Sequence, residues 1–140
     1  FCNDYGMHRH GQTYFKIKKM LDESFSSLVT TTHKLTSDKE SVAIVKKIID
    51  KHIPIIISIG EKTSDWGHAM LAIGYEDDVE GTVKKILCLD PAGDYIHGRK
   101  RWNAEIQVTS KQYRLSTIWY GVKTTKVVTL DDVIFITKNE

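Results

Sequence analysis

Two residues have the types and placement of an acid–base pair. His68 follows Trp66-Gly67 and opens the apolar stretch Ala69 to Tyr75; Asp90 closes the stretch Lys84 to Leu89 and is followed by Pro91. If these stretches are antiparallel neighbours, the start of one lies beside the end of the next. His68 and Asp90 then meet at one sheet edge. An imidazole held by a carboxylate is the base-and-orienter half of a nucleophilic site, because the carboxylate fixes the tautomer and leaves the other ring nitrogen facing a nucleophile. Plainer readings stand beside this one: a histidine at a strand start also serves as a cap, and an Asp before Pro also serves as turn chemistry. Trp66 is placed either to wall off the imidazole from water or to anchor the core.

The remaining polar clusters carry less. His8 and His10 have no Cys or His partner at metal-ligand spacing and read as solvated loop residues. His97, Arg99, Lys100 and Arg101 form a basic run, read as a solvated turn or as the flank of a cleft that favours acidic groups. Gly93 and Gly98 lack the strand–turn–helix context of a phosphate loop. Trp102, Trp119 and Tyr120 fit packing of the later strands.

The elements that must position the pair can be read from periodicity. Residues 1–12 are polar, hold Gly6 and Gly11, and read as a loop. Thr13 is placed to cap a helix in which Tyr14, Ile17, Leu21 and Phe25 recur at helical spacing. Residues 26–36 are Thr- and Val-rich and predict a short extended segment. Ser37 and Glu40 form a capping box for a second helix with Val42, Val45, Ile48 and Ile49 on one face. It should end near Lys51-His52, because Pro54 disfavours helix at Ile53. Pro54 to Ile59 reads as a central strand ended by Gly60, Ala69 to Tyr75 as a second, and Lys84 to Leu89 as a third. Later strands are expected around Ile106–Val108, Tyr113–Trp119 and Val133–Thr137. Helices ahead of antiparallel strands predict an α+β fold, a half-barrel sheet with helices on one side.

Composition sets the outer bounds. The chain has 140 residues, 41% hydrophobic and 27% charged, enough apolar side chain for one domain with a real core. Twenty Lys and Arg against 18 Asp and Glu leave a formal charge of +2, which gives no reason to expect nucleic acid as a partner. No apolar run approaches the roughly 20 residues of a membrane span. Two cysteines, Cys2 and Cys88, do not make a disulfide framework.

Three strings together carry a resemblance: Ile48-Ile49-Asp50-Lys51-His52-Ile53-Pro54-Ile55-Ile56-Ile57-Ser58-Ile59, then Gly67-His68-Ala69-Met70-Leu71-Ala72-Ile73-Gly74-Tyr75-Glu76-Asp77-Asp78, then Ile86-Leu87-Cys88-Leu89-Asp90-Pro91. Over about residues 37–93 the chain resembles papain-like cysteine peptidases, in the branch related to the peptidases that cleave bacteriocin leaders after a double glycine. The resemblance implies a papain-like fold, His68 as general base and Asp90 as its orienting carboxylate. It implies a peptide or protein substrate and no cofactor. It also implies a nucleophilic Cys upstream, at the N-terminus of a helix that lowers its pKa, with an oxyanion Gln ahead of it. Cys2 is the upstream cysteine here. It is followed by turn-like Asn3-Asp4-Tyr5-Gly6, and Gln12 lies after it rather than before. Two sources of the thiol therefore stay open, Cys2 and sequence ahead of Phe1. In the second case residues 1–140 are a single papain-like domain without its N-terminal catalytic helix. Cys88 lies within an apolar strand and reads as a small core residue.

The expectation is thus a thiol hydrolase with a Cys-His-Asp constellation. The alternative is a catalytically incomplete domain that binds peptides without cleaving them. Either one requires His68 and Asp90 to approach to about 2.6–3.2 Å.

Overall fold

The computed structural model describes residues 14–35, 37–91, 101–109, 114–119 and 125–138. Among them are two helices and seven strands: α1 (Tyr14–Ser24), β1 (Leu28–Lys34), α2 (Asp38–Ile49), β2 (Ile55–Gly60), β3 (Gly67–Asp77), β4 (Val83–Leu89), β5 (Ala104–Thr109), β6 (Arg114–Trp119) and β7 (Thr125–Lys138).

Local chemistry accounts for the helices. In α1, Met20 is buried while Ile17 and Leu21 are half-buried; Phe25, expected on the same face, stays 44% exposed just past the helix end. Lys18 pairs with Asp22 one turn on. At the start of α2 the Ser37 hydroxyl accepts the Glu40 N–H at 3.2 Å, so the expected cap forms. Asp38 and Glu40 sit in the first turn and Lys46 and Lys47 in the last, matching the helix dipole. Val42, Val45 and Ile48 are buried against β2, β3 and β7. The helix closes with His52 N–H on the Ile49 carbonyl (2.8 Å) and Ile53 N–H on the Ile48 carbonyl (3.4 Å). This Schellman closure places His52 at φ 60°, in the left-handed region. Lys46 then pairs with Asp77 at 2.6 Å, and Tyr75 donates to Asp50, tying the helix to the far end of β3.

The sheet corrects the expected architecture. The described residues are mostly strand, and six of the strands close into a barrel in the order β7-β2-β3-β4-β5-β6, with β6 returning to β7. The expected α+β, papain-like fold, with N-terminal helices packed on an antiparallel half-barrel sheet, is not what the chain forms. The reason is β7. Its expected extent, Val133–Thr137, is only its second half. Its first residues, Thr125 to Val128, pair with Leu115 to Ile118 of β6 and close the sheet. Residues Asp132 to Lys138 of the same strand pair with β1. One long strand thus serves the barrel at one end and β1 at the other, and full closure removes sheet edges that a half-barrel would leave open.

Register shifts in the sheet include two β-bulges that keep the inner face apolar. Ser58 pairs with Asp132 but Ile59 with Leu130, so Asp131 is the extra residue. Ile59 and Leu130, and likewise Ile57 and Val133, then face the same way despite the odd spacing. On β3, Ala72 pairs with Cys88 and Gly74 with Leu87, so Ile73 is extra and 36% exposed. The core that results includes Ile55, Ile57, Ile59, Met70, Ala72, Ile86, Cys88, Ile106, Leu115 and Val133, each at most 1% exposed. The β3–β4 turn is built by Asp78, whose carboxylate accepts the N–H of Glu80 and of Thr82, both at 2.9 Å. Gly81 there takes φ 81°. Among the described residues no helix is long and apolar enough to cross a membrane.

Candidate functional site

The barrel end at Gly60 and Gly67 carries the site. His68 pairs with Ile59 across the β2–β3 ladder, and Ile59 is fully buried, so the imidazole belongs to the inner face. Asp90 stands one residue past Leu89, which pairs with Leu71. Asp90 is therefore level with Met70, two residues from His68 on the same face. Such diagonal pairs lie within reach of long or aromatic side chains. Pro91 has no N–H to continue the ladder, and β4 stops there.

The two side chains meet as the sequence requires. His68 Nε2 lies 2.9 Å from Asp90 Oδ1 and 2.8 Å from Oδ2. The Asp90 side chain is 2% exposed and the His68 side chain 24%. A carboxylate only accepts, so Nε2 carries the proton and donates it, while Nδ1 is left for other chemistry. The carboxylate is sealed in and the imidazole reaches the surface.

Asp90 is itself anchored. Its N–H donates to Asn103 Oδ1 at 2.7 Å, and Asn103 Nδ2 donates back to the Asp90 carbonyl at 2.9 Å. Asn103 was not singled out from sequence. The signal that could have found it is its position directly before the β5 run, where a strand partner of Asp90 must lie. Trp102 next to it donates its indole N–H to Glu105 at 2.9 Å, and Glu105 is buried, with Lys85 at 3.6 Å.

Trp66 stacks on His68, with ring centroids 6.1 Å apart and planes 22° from parallel. It also packs against the core, as expected of an anchor. Lys126 sits 4.0 Å from the Trp66 ring centroid and 2.9 Å from Glu61. The Ser64 hydroxyl and then the Lys126 ammonium hold the Glu61 carboxyl below its ordinary value of 4.5. A cleft of ≈ 720 Å³ opens beside this array, lined by Glu61, Lys62, Leu115, Lys126, Val128 and Thr129 among others. His68 and Asp90 do not line it.

Cys88 is in the core and fully buried. Burial pushes its thiol far up, helped by the negative charges of Asp90 and Glu105. It is an inert thiol rather than a nucleophile. Cys2, Gln12, His8, His10, Gly93, His97, Gly98, Arg99, Lys100 and Tyr120 lie outside the described residues, as does the side chain of Trp119. Among the described residues no group of three or more His, Cys, Asp or Glu is placed to hold a metal.

No curated protein matches the chain. The model of the Peptidase_C39 like family matches residues 2–124, nearly the whole chain and well beyond the stretch that carries the motifs. The chain therefore belongs to the Peptidase_C39 like family, as a cysteine-peptidase-like domain.

Proposed function

We propose that this domain hydrolyses peptide bonds through a Cys-His-Asp site in which His68 is the general base and Asp90 orients it. The observation that carries this reading is the short, shielded contact between His68 Nε2 and the buried Asp90 carboxylate, which leaves Nδ1 as the working nitrogen. In the first step a thiolate attacks the amide carbonyl, forming the C–S bond. The imidazolium delivers its Nδ1 proton to the leaving amine as the C–N bond breaks. Water, with its proton taken by Nδ1, then cleaves the thioester and frees the thiol. Asp90 stays ionised and stabilises the imidazolium between the steps. Trp66 covers one side of the pair and limits access of water to it. The strings around Pro54, His68 and Asp90-Pro91 support a finer reading, kinship with the peptidases that cut after a double glycine, whose substrates are peptide leaders.

With Cys88 locked in the core, Cys2 is the thiol of this sequence to test. The experiment is alkylation by iodoacetamide across pH, with mass-spectrometric assignment to Cys2 or Cys88. Rapid modification of Cys2 well below pH 8.5, slowed by His68→Ala, is the expected result, since an imidazolium partner lowers a thiol pKa. An ordinary thiol profile indifferent to His68→Ala would remove Cys2 from the site and leave a thiol ahead of Phe1 or the peptide-binding reading.

A further inference from the structure

Asp90 lies beyond the last registered rung of the β4–β5 ladder. That rung is Cys88 with Ala104. Asn103 extends it with its own main chain, whose N–H donates to the Cys88 carbonyl at 3.2 Å. The ladder does not need the Asn103 side chain for this. The side-chain amide acts one step further on, where it takes the place of a missing strand residue. It accepts from the Asp90 N–H and donates to the Asp90 carbonyl. Both atoms belong to a residue that is 5% exposed, and Asn103 itself is 7% exposed. Held by the same rigid amide on its N–H and on its carbonyl, the backbone is fixed on both sides of the Asp90 Cα.

We propose that Asn103 is a positioning residue of the site: it holds the Asp90 main chain so that the carboxylate meets His68 Nε2. The inference rests on the reading of His68 and Asp90 as a working pair. A carboxylate oxygen stands at the end of a lever from its Cα, so a modest main-chain rotation moves it by about 1 Å. That is enough to break contacts of 2.8 and 2.9 Å and, at a reacting centre, to lower a rate on the order of 100-fold. Asn103 acts on His68 through Asp90. Its effect should therefore appear as a loss of order in the imidazole and not as a loss of fold.

The test is nuclear magnetic resonance of the ¹⁵N-labelled full chain, wild type against Asn103→Ala and Asn103→Asp. Asn103→Asp keeps an acceptor for the Asp90 N–H and loses the donor to its carbonyl. Two signals are read: the His68 Nε2–H resonance with the tautomer that it reports, and hydrogen-exchange protection of the Lys85 to Cys88 amides. The expected result for Asn103→Ala is loss of the Nε2–H resonance and a mixed tautomer, with ladder protection retained. Asn103→Asp should show a partial loss. A wild-type imidazole signature in Asn103→Ala would overturn the proposal. So would loss of ladder protection in both variants, which would make Asn103 a structural clamp only. Neither signal involves a thiol. Failure of the alkylation experiment would thus strike Cys2 as the thiol and leave this inference standing, and failure here would leave Cys2 standing.

Discussion

The His68–Asp90 contact can be tested through stability before any substrate is known. His68→Ala removes a partner of a carboxylate whose side chain is 2% exposed. Breaking a buried charge pair by removing one partner costs about 3–5 kcal/mol. His68 is itself 24% exposed, so water entering the vacated space recovers part of this, and the lower end, about 3 kcal/mol, applies. Asp90→Asn keeps an acceptor for Nε2–H but gives up the charge assistance, roughly half of a bond worth about 1.5–3 kcal/mol, so about 1 kcal/mol is lost. The double variant strands no charge and leaves only an imperfectly paired amide, at about 2 kcal/mol. The singles thus sum to about 4 and the double costs about 2, a coupling of about 2 kcal/mol. Urea unfolding with a constant m-value measures all four corners, and His68→Ala should lower the thermal midpoint by about 9 °C for a domain of this size. Additivity within about 0.5 kcal/mol would refute the reasoning, because the two side chains would then stand side by side without sharing energy.

Two further outcomes follow from single features of the fold. His52→Gly should raise stability by about 0.5–1 kcal/mol in the same urea assay: the left-handed backbone at φ 60° costs a non-glycine residue about 1–2 kcal/mol, and part of the gain is returned as unfolded-state entropy. Cys88 should make stability fall in alkali. Its folded pKa is raised by burial, so its contribution is full below the ordinary value of 9.0 and declines as pH climbs above it, where the unfolded thiol ionises; the urea midpoint above about pH 9 should fall with pH for the wild type and less so for Cys88→Ala.

Local elements were legible because their signals are local. Ser37 and Glu40 announce the start of α2, and Val42, Val45 and Ile48 its buried face. The β-branched run before Gly60 and the Gly67-to-Tyr75 stretch announce β2 and β3, and chain reversal then makes them antiparallel neighbours. Closure of the barrel was not legible. It depends on Thr125 to Val128 meeting β6, a contact between residues whose polar-apolar alternation is the same in an open sheet and in a closed one. The Asp131 bulge hides the strand further. It shifts the buried phase by one residue, from Val128 and Leu130 to Val133, so that β7 does not read as one alternating segment of 14 residues.

The site was more legible than the fold for a related reason. His68 and Asp90 lie at the ends of consecutive strands, and any antiparallel pairing of those strands brings the two together, whether the sheet closes or not. What supports them was out of sight, because it comes from farther along the chain. Asn103 is 13 positions past Asp90 in a segment with no motif of its own, and Lys126 comes to Trp66 only because β7 returns to the barrel. Closure therefore does more than bury apolar residues. It carries β7 past β2 and back to β6, where Lys126 can lie on the ring that stacks on His68, while the pairing of β5 with β4 puts Asn103 where it can grip Asp90. His68 and Asp90 meet through one hairpin. Their fixed geometry draws on the strands that follow it, and changes at β5 should reach His68 without touching it.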